Sequence, residues 1–119
     1  MAREDKAGRA EAQAFGNRFY GAPHVAFLFM PSFGDNVRVA GDIGMYGQTL
    51  LLSLTNHGLG SIPQTSLGYF ADTVRTVLGV GSELKLLFAI SFGYADEAAP
   101  ANAFKLGRDP LASTVVFHD

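Results

Sequence analysis

Two stretches of the chain are apolar at nearly every position, and each has the length of a β-strand. In residues 24–31 (HVAFLFMP), alternate side chains would point to opposite faces of a sheet, and both sets are apolar. Residues 83–96 (ELKLLFAISFGYAD) show the stronger pattern, because leucine, phenylalanine and isoleucine alternate along them. Strands that are apolar on both faces are typical of a sheet interior that is covered on both sides. Two strands alone make a poor sheet, so part of it is missing or comes from another chain.

A long helix is predicted between these two strands. From about residue 36 to Asn56 the apolar residues recur at helical spacing, after Asp35 as the candidate N-cap. Gly58 follows at the position where helices commonly end in a left-handed conformation. The pattern therefore supplies a start signal, a periodic body and a stop signal.

Three glycines, Gly41, Gly44 and Gly47, lie within the first turns of this helix. Each costs about 1 kcal/mol relative to alanine in a helix interior, so a compensating interaction is expected. They are three residues apart and cluster towards one side, where the backbone of a second helix could come close. Close packing against a second helix would offset the poor helix propensity of this segment. The alternative is that the helix begins only near Met45 and that the first glycines belong to a loop.

The remaining segments have weaker patterns. Residues 2–18 mix alanines with charges and predict a solvated helix, whereas residues 61–68 (SIPQTSLG) are interpreted as a short loop. After about residue 97 the chain loses periodicity, and it ends in a short β-branched run, STVVFHD. Residues 67–80 predict a second amphipathic helix, whose apolar side would consist of Tyr69, Val74, Val77 and Leu78.

Composition adds that the surface is short of charge. Of the 119 residues, 48% are hydrophobic and 17% are charged, whereas about a quarter of the residues in a typical domain are charged. The length is that of one domain. A single domain with so little charge usually hides part of its surface against a partner, which supports an obligate oligomer.

The same composition disfavours several classes of function. A net charge of −2 argues against a nucleic-acid groove and against a surface for anionic membranes. No apolar run is long enough to span a bilayer, and the first residues contain no apolar signal-peptide segment. The absence of cysteine excludes disulfides, thiolate catalysis and sulfur-ligated metals, and fits a reducing compartment. We therefore expect a cytoplasmic protein without nucleic-acid or membrane partners.

Few residues have the spacing of a known catalytic or metal site. His24, His57 and His118 lie far apart, so no metal site is expected. The segment GVGSEL precedes a strand, whereas a dinucleotide-binding fingerprint follows one, and no nucleophile motif occurs. The loop after the long helix remains as a source of free backbone N–H groups. Lys105 and Arg108 remain as cations, which by themselves are interpreted as ordinary surface charges.

Four segments of the chain, in their order and spacing, resemble the flavin-dependent nitroreductase family. They are FYGAPHVAFLFMP, DIGMYGQTLLLSLTNHGLGSIPQ, LKLLFAISFGYADEAAPANAF and GRDPLASTVVFHD. The resemblance runs from about residue 3 to the end and is to the C-terminal half of the family. It implies an α+β sandwich, in which a mostly antiparallel sheet is flanked by helices and two subunits interlock as a homodimer. Residues 1–119 would form a single domain that ends in an arm, residues 100–119, reaching over the partner subunit and adding a strand to its sheet.

The resemblance also implies a cofactor and the residues that hold it. Members of the family bind FMN between their subunits, and NAD(P)H reduces the flavin, which then passes electrons to nitroaromatics, quinones or related small acceptors. The family uses no side-chain nucleophile, so no catalytic residue is expected. The arginine that grips the FMN phosphate corresponds to Arg108, with Lys105 as a weaker candidate. The loop that lies against the flavin ring corresponds to Pro63, Gln64, Thr65 and Ser66.

One departure from the family leaves two functions open. Members are considerably longer, and their N-terminal half, which carries an arginine-rich flavin-binding segment, has no counterpart in this sequence. The chain is therefore expected to be a truncated nitroreductase-like domain. It is either a flavin-dependent oxidoreductase or a non-catalytic dimerisation remnant that binds flavin weakly or not at all. Pro63 and Arg108 favour the oxidoreductase, and the missing segment favours the remnant.

Overall fold

A three-stranded antiparallel sheet lies at the centre of the fold. The structure is a computed structural model that describes residues 4–104 and 106–118. The strands are β1 (His24–Pro31), β2 (Gly60–Gln64) and β3 (Leu84–Gly93), in the order β1-β3-β2. β3 has a neighbour on both edges, which confirms its predicted central place. Among the described residues β1 pairs only with β3, so the prediction that β1 also lies inside the sheet is wrong for this part of the chain.

The third strand corrects the interpretation of residues 61–68 as a loop. β2 pairs with β3 from Gly60, opposite Gly93, to Gln64, opposite Ala89. Pro63 is an unfavourable residue for a strand interior, because proline has no N–H to donate to a sheet ladder. β2 is an edge strand, and an edge position tolerates a residue that lacks this donor.

Within the described ranges, three α-helices accompany the sheet: α1 (Lys6–Asn17), α2 (Val37–Asn56) and α3 (Ala71–Leu78). α1 and α2 confirm the two helices predicted in those regions. Short 3-10 segments cover Phe19–Gly21, Thr65–Phe70, Pro100–Ala103 and Leu111–Ser113. No helix in the described ranges combines the length and the apolar composition that crossing a membrane requires.

The ends of α2 follow the predicted signals with one shift. The Asp35 carboxylate accepts a hydrogen bond of 3.0 Å from the Val37 N–H, although Asn36 occupies the cap position itself. Asp35 therefore satisfies one of the orphan donors of the first turn from one residue further out. At the other end, Gly58 is left-handed as predicted, with a φ of +73°.

The glycines of α2 lie inside the helix, because the helix begins at Val37 and not near Met45. They do not share one environment. A Cβ built on Gly47 would lie 2.7 Å from the Phe88 ring, so this glycine lets α2 approach β3. No described atom lies within 4 Å of a Cβ built on Gly41 or Gly44. The expectation that all three serve a second helix is therefore wrong for Gly47, which packs on its own sheet.

The core lies between α2 and the sheet. Leu28 of β1, Leu54 of α2 and Ile90 of β3 form its buried cluster, and Ile90 is fully buried. Contact between a helix stripe and one sheet face is the arrangement expected for an α+β domain. The opposite side of α2 faces away from this cluster and carries Gly41 and Gly44.

The apolar side predicted for the second amphipathic helix is wrong at three of its four positions, since only Val74 is half-buried. Tyr69 and Val77 are 90% and 77% exposed, and Leu78 is exposed as well. The α-helix starts only at Ala71, because the preceding six residues form a 3-10 segment with three residues per turn. An α-helical period drawn through Tyr69 therefore has the wrong phase. The buried residue of this region is Leu67, at 4% exposure.

After β3 the chain continues as an open arm. The radius of gyration is 17.1 Å, compared with about 13.5 Å for a compact domain of this length. All described residues from Leu106 to His118 are exposed, and the β-branched end forms no strand within the described part. That the arm covers a partner subunit stays a prediction.

Candidate functional site

The segment that the sequence singled out for a cofactor, residues 63–66, crosses the end of β2. Pro63 is exposed and lies opposite Ile90 in the ladder. Gln64 is the last residue of the strand, and Thr65 opens the 3-10 segment. The four residues are thus adjacent in space as well as in sequence, at a point where the backbone leaves the sheet.

The side chain of Gln64 is buried and is bonded within the chain. It is 5% exposed, and its Nε2 donates a hydrogen bond of 2.8 Å to the carbonyl oxygen of Gly16, near the end of α1. Its Oε1 accepts a hydrogen bond from the Ser91 hydroxyl. Because both ends of the amide have partners inside the fold, a cofactor at this segment would meet the backbone of Gln64 and not its side chain.

Thr65 and Ser66 are exposed between two buried neighbours, Gln64 and Leu67. Leu67 packs its side chain inward, and Gly68 runs close to the β3 backbone, where a Cβ would lie 3.8 Å from a carbonyl oxygen. The first N–H groups of a helical segment have no acceptor within it. The fold therefore presents backbone amides on a surface segment whose two ends are fixed.

The candidate cations lie on the arm, away from this segment in sequence. Arg108 is exposed, and Lys105 lies outside the described residues. No hydrogen bond or ion pair between described residues joins Arg108 to residues 63–66. Groups of three or more metal-ligating side chains are likewise absent from the described ranges.

A cavity of about 580 Å³, at the other end of β2, was missed by sequence reasoning. Its wall combines the 3-10 segment Phe19–Gly21, the edge formed by β2 and β3, and the loop after β3. Phe19 and Tyr20 adopt left-handed φ angles of +58° and +57°, which is uncommon for aromatic residues. No local pattern signals the cavity, because its aromatic and polar wall residues come from separate segments: Phe15, Tyr20, Phe92, Tyr94, Ser61 and Asn102.

Comparison with known proteins decides the family. The model of the nitroreductase family matches residues 2–94, which is most of the chain. This chain belongs to the nitroreductase family. The match confirms the resemblance found in the sequence.

Two curated relatives show how close the relationship is. Nitroreductase NfnB of Mycolicibacterium smegmatis is 53% identical over 100 residues, which cover 84% of this chain and 42% of that protein. A 4-nitrobenzoate reductase of Pseudomonas putida is 32% identical over 107 residues, covering 88% of this chain and 46% of that protein. The present chain thus spans less than half the length of these two relatives.

Solved structures show the same relationship in three dimensions. The structure described as FMN-dependent nitroreductase NfnB from Mycobacterium smegmatis in complex with NADPH superimposes with a TM-score of 0.93 at 46% identity. The superposition covers 100% of this chain and 53% of that one. An NfnB described as FMN and NADPH-dependent, from Sphigopyxis sp. strain HMH, gives 0.91 at 35% identity, with the same coverages. These superpositions confirm the predicted α+β nitroreductase-like fold.

Proposed function

We propose that this chain forms part of an FMN-dependent oxidoreductase that takes electrons from NAD(P)H and delivers them to nitroaromatic, quinone or similar small acceptors. The proposal is supported by the 53% identity to NfnB and by the close superposition on a structure that contains NADPH. The name of the 4-nitrobenzoate reductase supports a nitroaromatic acceptor. We also expect a cytoplasmic location, because a chain without cysteine suits a reducing compartment.

The observation that carries the proposal is the exposed position of Thr65 and Ser66 between the buried residues Gln64 and Leu67. FMN, when bound, supplies hydride and electron transfer chemistry that no side chain provides. The segment suits FMN because fixed backbone N–H groups stabilise the negative charge that develops on an acceptor atom. Pro63 offers an exposed apolar surface beside these amides. In this assignment the segment holds the flavin ring system and orients it.

Arg108 is assigned to the phosphate of FMN. Its guanidinium is exposed on the arm and is always charged, and a charge-assisted hydrogen bond to a phosphate is among the stronger ones available to a protein. Lys105 remains the weaker candidate for the same role.

We propose a homodimer built on the outer side of α2. Val37, Gly41, Gly44, Gln48 and Leu52 are spaced by three or four residues, so they share one face. All five are exposed in the single chain, and the two glycines leave room for close approach of another helix. The open arm, residues 100–119, would reach over the partner and add its β-branched end to the partner's sheet.

The alternative function is a non-catalytic dimerisation module. It needs only the outer face of α2 that we propose as the dimer interface, and it requires no cofactor. Titration of the ¹⁵N-labelled chain with FMN discriminates between the two functions. The oxidoreductase predicts saturable shifts of the Thr65 and Ser66 amide signals, whereas the dimerisation module predicts none. Shifts confined to other segments would reject the assignment of residues 63–66 while leaving FMN binding in place.

A further inference from the structure

We infer that Gln64 is a positioning residue, whose buried side chain fixes the backbone that Thr65 and Ser66 present to the flavin. Three residues form this arrangement, which we name the Gln64 clamp: Gln64, Ser91 and Gly16. The inference rests on the proposed function, since it assigns how the flavin-facing backbone is held.

The clamp joins three elements at one buried point. Gln64 ends β2, Ser91 lies in β3, and Gly16 lies in the last turn of α1. Ser91 is 1% exposed, and Gly16 is also buried. The Gln64 amide donates to the Gly16 carbonyl at 2.8 Å and accepts from the Ser91 hydroxyl. Among the described residues, no buried side-chain nitrogen or oxygen lacks a partner.

The register of the sheet makes the clamp possible. Gln64 lies opposite Ala89, and Ile62 lies opposite Ser91, so Gln64 and Ser91 are diagonal neighbours on one face of the sheet. Their side chains meet there beneath the end of α1. This cross-strand hydrogen bond therefore holds the last residue of β2 in place, at the point where the backbone turns away from β3.

A satisfied buried network makes the local structure rigid, and a half-satisfied one is costly. Loss of the Gln64 amide leaves the Ser91 hydroxyl and the Gly16 carbonyl without their partners. The residue next to Gln64 is Thr65, and Leu67 provides a separate, apolar anchor on the far side. The exposed pair Thr65–Ser66 is therefore held from both ends, by the clamp where the chain leaves the sheet and by Leu67 on the far side.

The first test uses the flavin-free chain and does not depend on the proposed function. The side-chain amide protons of Gln64 should exchange with solvent at least tenfold more slowly than those of Gln13, which is exposed on α1 and lies outside the proposed dimer interface. In Gln64→Met and in Ser91→Ala, the backbone amides of the 3-10 segment Thr65–Phe70 should exchange about tenfold faster, which is equivalent to about 1.4 kcal/mol. Equal exchange for Gln64 and Gln13, or unchanged exchange in both variants, would overturn the clamp.

The second test asks whether the clamp serves the cofactor. Gln64→Met and Ser91→Ala should weaken FMN binding about tenfold, and should move the midpoint potential of the bound flavin to a more negative value. The potential falls because loosely held amides stabilise the reduced flavin less. The control is Leu28→Ala, which opens a cavity in the core on the opposite edge strand and destabilises the whole domain without touching the clamp.

The outcomes of these tests separate three cases. Weaker FMN binding and a shifted potential in the clamp variants, with neither in Leu28→Ala, support the inference. An equal loss of affinity in all three variants, with the potential unchanged, would overturn it, because general destabilisation would then explain the effect. If the unaltered chain binds no FMN, the proposed function fails, whereas the exchange measurements on the flavin-free chain still decide whether the clamp holds this backbone.

Discussion

Replacement of Gly44 by leucine separates contacts inside the protomer from contacts between protomers. Within one chain, no described atom lies within 4 Å of a Cβ built on Gly44, so the first carbon of a leucine side chain has free space there. Helix propensity even favours the substitution, because glycine is less favourable than leucine in a helix interior and lies roughly 0.8–1 kcal/mol below alanine, the best helix former. If α2 packs against its counterpart at this glycine, the larger side chain overpacks the interface at about 1–3 kcal/mol per site.

The symmetry of a dimer doubles this cost. A two-fold interface contains the substitution twice, which gives about 2–6 kcal/mol against association. Dimerisation should therefore weaken by about 30-fold to more than 10,000-fold. Sedimentation equilibrium over a range of concentrations measures this change directly, and circular dichroism verifies that the variant protomer stays folded.

A control variant tests whether any added apolar side chain on the surface changes the association constant. Ala10→Leu introduces leucine at an exposed position of α1, away from the proposed interface, and should leave the association constant unchanged. If Gly44→Leu dimerises with the same association constant as the unaltered chain, Gly44 does not lie in the interface. A monomeric unaltered chain at micromolar concentration would refute the dimer itself.

Three further predictions address the helix, the arm and the phosphate. Gly47→Ala should lower the free energy of unfolding in urea by about 1 kcal/mol. Its Cβ would lie 2.7 Å from the Phe88 ring, and overpacking of about 1–3 kcal/mol outweighs a helix-propensity gain of about 1 kcal/mol; an increase in stability would show that the ring moves freely. Deletion of residues 110–119 should lower the Tm more strongly at low protein concentration, and an unchanged Tm would contradict an arm that bridges subunits. Arg108→Ala should weaken FMN roughly ten- to a hundredfold and hardly affect riboflavin, which lacks the phosphate, whereas equal losses of both flavins would reject the assignment.

The sequence was sufficient for elements whose signals are local and consistent. The alternation in residues 84–92 and the periodicity that ends at Asn56 correspond to β3 and α2. Gly58 also ends its helix as predicted, because a left-handed stop depends on the chemistry of one residue.

Elements with conflicting local signals were not predictable in the same way. β2 could not be predicted because it contains Pro63, and proline is compatible with a strand only at the edge of a sheet. Whether a strand lies at an edge depends on the arrangement of the whole sheet. The predicted apolar face around Tyr69 failed because a 3-10 segment changed the helical phase.

The candidate site was predictable only in part. Residues 63–66 could be singled out through the family resemblance, and the fold places them on an exposed exit from the sheet. The partners of the Gln64 side chain could not be foreseen. Gly16 and Gln64 are 48 positions apart, and tertiary packing alone brings them together.

Anaerobic reduction of the reconstituted chain by NADPH tests the proposed flavin-dependent function. The purified protein is incubated with FMN, freed of unbound flavin by gel filtration, and mixed with NADPH while the visible flavin absorption is followed. We expect that flavin stays with the protein, that its absorption bleaches, and that a nitroaromatic acceptor restores the colour. Flavin that separates from the protein on the column, or bound flavin that NADPH reduces no faster than free FMN, would rule out this function for the chain.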